Sequence, residues 1–376
     1  MKVSDFDYEL PAGQIAQRPA SRRDHARLMV VGGGAELSAE PPRPPVTEEF
    51  LISDLPGLLS PGDLVVLNDT RVFPARLRGR KESGGRIEVL LLSRTSASRD
   101  GRVETWRALL GSSRMPDAGQ GIDVGEGLQA TVIEPPVEGR ALLSLESGEG
   151  VASAVERLGQ VPLPPYIERP DGPEQEDRER YQTVFARHSG AAAAPTAGLH
   201  FTRELLERLE SKRIRRAALT LHVGLGTFQP LRGDALPGRI HSEFYRIPES
   251  TARAVDETHR AGGRVVAVGT TVVRALEFAG RGGQVVAGEG WCDLFIAPGF
   301  PFRQTDLLLT NFHLPRSTLL MLVSAFAGRE RVLACYREAI RRGYRFYSYG
   351  DAMLLEREAA DGPRASPLNA SAGGGV

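Results

Sequence analysis

Four of the seven histidines lie in short polar segments that contain glycine or proline and have the composition of ligand-binding turns. His200 lies in APTAGLHFT, His222 in LHVGLGTFQP, His241 in IHSEFY and His313 in TNFHLPRST. A histidine near its unperturbed pKa can accept or donate a proton at neutral pH. A single histidine of this kind is more often a hydrogen-bonded structural residue, but four together favour a site that transfers protons.

A helix start with unpaired backbone N–H groups is a second candidate feature. VGTTVVRALE follows the strand-like RVVAVG, and Gly269 would allow a tight turn before Thr270 and Thr271. The N-terminus of a helix carries a partial positive charge that suits an anion or a ribose hydroxyl. The same residues also fit an ordinary helix cap with Arg274 and Glu277 at the surface, so both interpretations stay open.

Several common kinds of active site find no support in the sequence. There is no HExxH or HxH pair, and neither Cys292 nor Cys335 has a neighbouring metal ligand, which argues against zinc. The GxSxG motif of serine hydrolases and the Walker phosphate loop are missing. The glycines of LHVGLG do not complete the GxGxxG pattern of dinucleotide-binding proteins.

Length and charge describe a folded protein of more than one domain. At ~150 residues per domain, 376 residues predict two or three domains. Lys and Arg together number 47, as do Asp and Glu, so no overall basic field indicates a nucleic-acid partner. Two local basic runs, at 71–86 and 337–345, leave phosphate contact open beside the alternative of solvated surfaces.

The sequence also predicts a cytoplasmic protein with no membrane association. The first residues, MKVSDFDYELP, are acidic where a signal peptide would be apolar. The longest strongly apolar stretch, 319–327, is far shorter than the ~20 residues that span a bilayer. The two cysteines lie in apolar surroundings, which fits a reducing compartment.

Two successive patterns of strands and helices predict the fold class. Short β-like runs such as RIEVLLL and RALLSLE alternate with turn residues between about 70 and 149, which favours a small sandwich or barrel. Strand-like and helical segments alternate after 151, as in an α/β layer with a largely parallel sheet. We predict an α/β domain of residues 1–69 and 151–360, an inserted all-β barrel domain of residues 70–150, and a disordered tail at 361–376.

Individual elements of the α/β part follow from local signals. LVVLN, ALTLHV, RVVAVG and CDLFIAP are each predicted to form a strand. Thr202 is predicted to cap a helix that carries Leu205 on its apolar side. Pro315 is predicted to open another helix, which ends near Gly328.

Taken together, the longer motifs resemble one family closely. They are SDFDYELP, IAQRP, GDLVVLNDTRVFPARL, YQTVFAR, APTAGLHFT, LHVGLGTFQP, HSEFY, GTTVVRALE, TNFHLPRSTLLMLVSAFAG and YRFYSYGDAM. The chain resembles the S-adenosylmethionine:tRNA ribosyltransferase-isomerases of bacterial queuosine biosynthesis from Met1 to Leu355. The resemblance implies an α/β domain with an inserted β-barrel, and a monomer.

The resemblance also implies an unusual transfer reaction. The ribosyl part of S-adenosylmethionine would move onto 7-aminomethyl-7-deazaguanine at the wobble position of a tRNA and rearrange, giving epoxyqueuosine. Adenine and methionine would leave, so S-adenosylmethionine would be a consumed co-substrate and no further cofactor is expected.

This chemistry needs groups that handle protons. The sulfonium makes the neighbouring C5′ hydrogen acidic, and the departing adenine gains from a proton, so at least two groups of different pKa are required. We expect them among His200, His222, Glu243 and His313, with Asp293 a weaker candidate, and the individual roles stay open.

Binding residues for both substrates follow from the same motifs. Hydroxyl, amide and glycine residues could pair with the ribose and let the backbone close on the adenosine. The residues expected to bind the donor are Thr196, Gly198, Gly224, Gly226, Thr227, Gly269, Thr270, Thr271, Arg274 and Asn311. Arg71, Arg76 and Arg78, at the predicted domain junction, are expected to contact the phosphates of the single-stranded anticodon loop. No metal ligand is expected.

The chain departs from the family pattern at a few positions. Val272 and Ala275 stand where the family usually has hydroxyl residues, and Arg316 stands where it usually has lysine. Two other functions stay open beside this one. One is an RNA-binding module without turnover, and the other is a methyltransferase that releases S-adenosylhomocysteine.

Overall fold

The computed structural model describes residues 1–32, 47–224, 233–238 and 240–358. The predicted tail at 361–376 lies outside these ranges, as do Gly226 and Thr227 of the expected donor site. Within the described part of the chain, no helix is long and apolar enough to cross a membrane.

The described residues form strands and helices with the following bounds. The strands are β1 (Arg27–Val31), β2 (Thr47–Leu51), β3 (Leu64–Asn68), β4 (Thr70–Val72), β5 (Arg76–Lys81), β6 (Arg86–Ala97), β7 (Val103–Gly111), β8 (Gly121–Gly125), β9 (Leu128–Val137), β10 (Arg140–Ser147), β11 (His188–Ala191), β12 (Arg215–Leu221), β13 (Glu243–Ile247), β14 (Val265–Val268), β15 (Gly288–Cys292), β16 (Leu307–Asn311) and β17 (Ala352–Glu356). The helices are α1 (Leu55–Leu58), α2 (Val151–Leu158), α3 (Gln175–Arg180), α4 (Arg203–Ser211), α5 (Glu249–Arg260), α6 (Thr270–Ala279), α7 (Thr318–Ala327) and α8 (Arg329–Arg341). Short 3-10 helices include Thr196–His200.

A mixed sheet forms the middle layer of the α/β part. Its strand order is β15-β13-β12-β3-β14-β16-β17-β1-β2. The central strands β12, β3, β14 and β16 are parallel, as are β17 and β1, and the other neighbours are antiparallel. The predicted fold class, α/β with an inserted barrel, is confirmed, and the parallel pairing is concentrated at the centre of the sheet.

Helices cover both faces of this sheet because its central strands are apolar on both sides. In β3, Leu64 and Val66 contribute to a core with α5, α6, α7 and α8. Val65 and Leu67 contribute to a second core with α1 and α4. Alternate side chains of one strand therefore join two different cores, as the two-residue period of a strand requires.

The inserted segment forms a closed antiparallel barrel in the order β10-β7-β6-β5-β8-β9. Its interior is a separate apolar cluster to which α2 contributes Val151 and Val155. The barrel strands run from Arg76 to Ser147, within the predicted 70–150. The first strand of that segment, β4, pairs instead with β11 of the α/β part, so the exact domain bounds stay a prediction.

Local signals predicted most of the individual elements. The Oγ1 of Thr202 accepts a hydrogen bond from the Leu205 N–H at 3.1 Å and caps α4, as predicted. Helix α7 begins at Thr318, after its cap Ser317, and ends before Gly328, which has φ +86°. The predicted strand CDLFIAP is wrong, because β15 ends at Cys292. Beyond the end of β15, the Leu294 carbonyl accepts a hydrogen bond from the Arg274 Nε at 3.1 Å.

The contribution of the Thr202 cap to the stability of α4 can be tested directly. Thr202→Ala removes the acceptor for the Leu205 N–H, so we expect the free energy of unfolding to fall by about 1 kcal/mol. Thr202→Ser keeps the hydroxyl and is the matched control, measured by urea unfolding followed by circular dichroism. An equal loss in the serine variant would assign the effect to the threonine methyl group rather than to the cap.

Candidate active site

The turns that carry the predicted site residues meet at one edge of the sheet. The parallel strands β3, β12, β14 and β16 end at Asn68, Leu221, Val268 and Asn311. The carboxyl ends of parallel strands lie at the same edge, where open α/β sheets bind ligands. Most of the segments selected from the sequence are therefore neighbours in the folded chain.

The buried amide of Asn68 ties three of these segments together. Its Nδ2 donates to the Leu221 carbonyl at 2.9 Å and to the Thr271 Oγ1 at 3.3 Å. Its Oδ1 accepts from the N–H groups of Leu221 at 3.0 Å and Thr70 at 3.1 Å. Sequence reasoning did not select Asn68, although an Asn-Asp-Thr run directly after an apolar strand was the available signal.

His222 lies directly after β12 and is half-buried. Its Nδ1 lies 2.8 Å from the Thr70 Oγ1, and its ring stacks on Phe244 with centroids 5.5 Å apart. A Cβ at Gly190 would come within 2.5 Å of the His222 Nε2, so the close approach requires glycine. Burial and the neighbouring His188 lower the pKa of His222, so the ring is a neutral proton acceptor at neutral pH.

His200 and Asn311 form a buried pair beside this edge. The Asn311 Nδ2 donates to the His200 Nε2 at 3.1 Å and to the Tyr347 carbonyl at 3.2 Å. Burial lowers the pKa of His200 to about 4, so its ring is neutral. The Asn311 Oδ1 is buried and has no hydrogen-bond partner among the described residues.

His313 shares a pocket with two of the expected donor-binding residues. Its Nε2 lies 2.8 Å from the Thr310 Oγ1, and burial lowers the pKa of the ring to about 3. The pocket is a small cleft that is partly open to solvent. Its lining includes Thr196, Asn311 and His313 together with the aromatic rings of Tyr166, Phe312 and Tyr347.

Glu243 and Arg274 form a buried ion pair on the α6 side of the sheet. Their side chains are 4% and 3% exposed. The Glu243 Oε1 also accepts from the Gly224 N–H at 2.9 Å, and the Arg274 Nε donates to the Leu294 carbonyl at 3.1 Å. Because both carboxylate oxygens have partners, Glu243 is placed to position the backbone at Gly224.

The alternative of a surface helix for VGTTVVRALE is wrong. Arg274 and Glu277 are each 2% exposed. Glu277 accepts hydrogen bonds from three backbone N–H groups, at 303–305. Val272 and Ala275, two departures from the family pattern, are fully buried in the apolar core.

Of the other residues expected to bind the donor, three lie at the start of α6 and one lies in a tightly packed turn. Gly269 is the cap of α6 with φ +93°, a backbone conformation that favours glycine. Thr270 and Thr271 follow it and are 5% and 6% exposed. Gly198 serves packing, because a Cβ there would meet the Phe185 ring at 2.9 Å.

The three arginines expected to bind tRNA are in different settings. Arg71 is exposed and lines a surface groove. The Arg76 Nη2 donates a hydrogen bond to the Leu163 carbonyl at 3.2 Å, so this side chain already has a partner within the protein at the domain junction. Arg78 is exposed on the barrel strand β5 beside Gly172. Within the described ranges no group of three His, Cys, Asp or Glu side chains is placed to hold a metal ion.

Comparisons with known proteins agree on one family. The family described as "Queuosine biosynthesis protein" matches residues 3–355. The S-adenosylmethionine:tRNA ribosyltransferase-isomerase of Geotalea uraniireducens is 51% identical and covers 94% of this chain and 100% of the relative. The protein of the same name from Geobacter sulfurreducens is 50% identical with the same coverage. The crystal structure of an S-adenosylmethionine tRNA ribosyltransferase from Thermotoga maritima is 37% identical, covers 93% of this chain and 99% of that chain, and has a TM-score of 0.51.

The buried neutral histidines make stability depend on pH. The pKa values of His200 and His313 in the folded chain are about 4 and about 3, against ~6.5 in the unfolded chain. Between these values the unfolded chain binds more protons, so stability falls as the pH falls below ~6.5, by up to about 1.4 kcal/mol per pH unit for each histidine. Urea unfolding at pH 7 and pH 5 measures this slope, and His200→Gln is expected to reduce it. Identical slopes in the variant and the wild type would contradict the assignment.

The Glu243–Arg274 pair allows a second stability test. Arg274→Met leaves the Glu243 carboxylate buried without its main partner, so we expect a loss of about 3–5 kcal/mol in the free energy of unfolding. Adding Glu243→Gln to Arg274→Met removes that charge and should restore part of the loss. Strictly additive effects of the two substitutions in chemical unfolding would show that the ion pair is not coupled.

Proposed function

Because the chain belongs to the queuosine biosynthesis family of S-adenosylmethionine:tRNA ribosyltransferase-isomerases, we propose that it modifies a tRNA with the ribosyl part of S-adenosylmethionine. The acceptor is 7-aminomethyl-7-deazaguanine at the wobble position, and the products are epoxyqueuosine-tRNA, adenine and methionine. We propose that it acts as a cytoplasmic monomer. The observation that carries this proposal is the convergence of His200, His222, His313 and the α6 N-terminus at one sheet edge of a chain related to these enzymes over 94% of its length.

The transfer reaction requires groups that remove and supply protons. A bond forms between the amine nitrogen and a ribose carbon, and a new bond from C5′ to another ribose carbon closes the cyclopentane ring of the product. The bonds from ribose to adenine and from C5′ to sulfur break, and one carbon–oxygen bond of the ribose ring oxygen is exchanged for another to give the epoxide. Over the whole reaction the amine loses one proton, and adenine leaves with a proton on its ring. A base must also remove the acidic C5′ hydrogen next to the sulfonium before adenine departs.

We assign the proton acceptor to His222. It is the least buried of the three site histidines with a lowered pKa, and the contact with Thr70 orients its ring. Such a neutral imidazole matches the needs of a general base near neutral pH. His200 and His313 are more deeply buried, and each has its Nε2 in contact with a neighbouring side chain.

The donor would lie between the α6 N-terminus and the pocket that contains His313. The hydroxyls of Thr270 and Thr271 and the N–H groups at the start of α6 suit the ribose oxygens. The aromatic rings of the pocket suit a sulfonium cation. Glu243 keeps a positioning role, since it holds the backbone at Gly224.

One experiment separates this function from the two alternatives. Incubation of the protein with S-adenosylmethionine and the precursor tRNA, followed by mass analysis, should detect epoxyqueuosine in the RNA and free adenine in solution. Release of S-adenosylhomocysteine would instead identify a methyltransferase. Binding of tRNA with no released product would identify an RNA-binding module.

The role of His222 is tested by its replacement with glutamine. Loss of the base should lower kcat for adenine release by about 10²- to 10⁴-fold at saturating substrates. His188→Gln is the matched control, because His188 is a more exposed neighbour of the same segment and should retain nearly full activity. Near-normal turnover of the His222 variant would remove the assignment, and equal losses in both variants would point to a general effect on the segment.

A further inference from the structure

Three aromatic rings lie side by side at the outer edge of the sheet, and we name them the aromatic row: His222, Phe244 and Trp291. Phe244 and Trp291 are direct cross-strand partners in the antiparallel pair β13–β15. The backbone N–H of His222 donates to the Phe244 carbonyl at 2.9 Å, which places His222 opposite Phe244. The aromatic row therefore runs from the proposed general base to the edge strand.

The rings contact one another in an ordered way. His222 and Phe244 are stacked, with centroids 5.5 Å apart and planes 22° apart. Phe244 and Trp291 meet edge to face, with centroids 5.9 Å apart and planes 77° apart. Each inner ring supports its neighbour, and the outermost ring is the one that meets solvent.

Trp291 differs from the other Phe, Tyr and Trp residues that the structure describes, all of which are buried or half-buried. It is 59% exposed. The other tryptophan of the chain, Trp106, packs against Phe73 and donates its indole N–H to the Glu104 Oε2 at 2.8 Å. Within the described residues the indole N–H of Trp291 has no such partner.

The aromatic row lies on the sheet face that α6 does not cover. In β13, Glu243 and Tyr245 contact Arg274 and Phe278 of α6. Phe244 alternates with them and points to the other face. Trp291 therefore makes no contribution to either sheet core, and no packing requirement of the α/β fold explains it.

Charged side chains of both signs lie near the aromatic row. Arg246 lies two residues after Phe244 on the same face of β13 and is exposed, and its cross-strand partner in β15 is the exposed Glu289. On the barrel side, the exposed Arg140 contacts His241 with 3.1 Å between the Arg140 Nη2 and the His241 Nε2. An exposed aromatic ring at the edge of a site suits an unpaired base of single-stranded nucleic acid, because every base has a face that stacks.

We propose that the aromatic row is a stacking platform for an unpaired base of the tRNA anticodon loop, with Trp291 as the ring that carries it. This inference rests on the proposed function, since it places the loop beside the site where the wobble nucleotide reacts. Trp291 binds RNA in this scheme and takes no part in proton transfer.

Tryptophan fluorescence gives a direct readout of this contact. In a Trp106→Phe background Trp291 is the remaining tryptophan, and a base stacked on it should quench its emission as an anticodon stem-loop RNA is titrated. Saturable quenching at the concentration at which the RNA binds supports the proposal. RNA binding without a change in this emission overturns it.

Steady-state kinetics gives the second readout. Trp291→Ala should raise the KM for tRNA by about fivefold to a hundredfold, the range of one base stacked on an aromatic ring, with the KM for S-adenosylmethionine unchanged. Trp291→Phe should recover most of the affinity. Val286→Ala is the matched control, since Val286 is 67% exposed in the segment before β15 and lies outside the aromatic row.

The outcomes separate the platform from the function on which it rests. If the wild type releases adenine and Trp291→Ala leaves the KM for tRNA unchanged, the proposal of a stacking platform is wrong and the enzyme function stands. If the wild type modifies no tRNA, the function fails, and the fluorescence titration still decides whether Trp291 contacts RNA. A change of oligomeric state in Trp291→Ala, with RNA affinity unchanged, would assign the exposed ring to a protein contact and overturn the proposal.

Discussion

The hydrogen bonds of the Asn68 amide hold the candidate site together. This side chain is 1% exposed at the end of a fully buried strand, and it pairs with groups from β12, from the start of β4 and from the first turn of α6. A buried amide that satisfies several backbone groups is costly to replace, because each abandoned donor or acceptor would lose its partner away from water. The position of His222 depends on this amide twice, through Leu221 before it in the chain and through Thr70 against its ring.

Burial also sets the charge of the site. His200, His222 and His313 all have lowered pKa values, chiefly because their rings are withdrawn from water. A protonated histidine would repel a sulfonium donor, so neutral rings favour the entry of a cation. The buried Glu243 charge is compensated by Arg274.

Much of this architecture could be predicted from neighbouring residues in the chain. The cap at Thr202 depends on a residue three positions away, and the turn at Gly269 depends on its own backbone. Other contacts that build the site span much longer separations, since Leu221 and Thr271 lie 153 and 203 positions from Asn68. No local pattern specifies such pairs. For the same reason the sequence left open whether Arg274 lies at the surface, because its partner Glu243 lies 31 positions earlier.

The unpaired Oδ1 of Asn311 has a consequence for selectivity. The atom is buried beside the pocket that contains His313, and its neighbouring Nδ2 is already engaged by His200 and Tyr347. A molecule that fills the pocket and offers an N–H or O–H there would satisfy the amide oxygen, whereas an isostere without that hydrogen would leave it unsatisfied in a water-poor space. Sites of this kind reject the deoxy or desamino analogue far more strongly than a hydrophobic cavity rejects a missing methyl group.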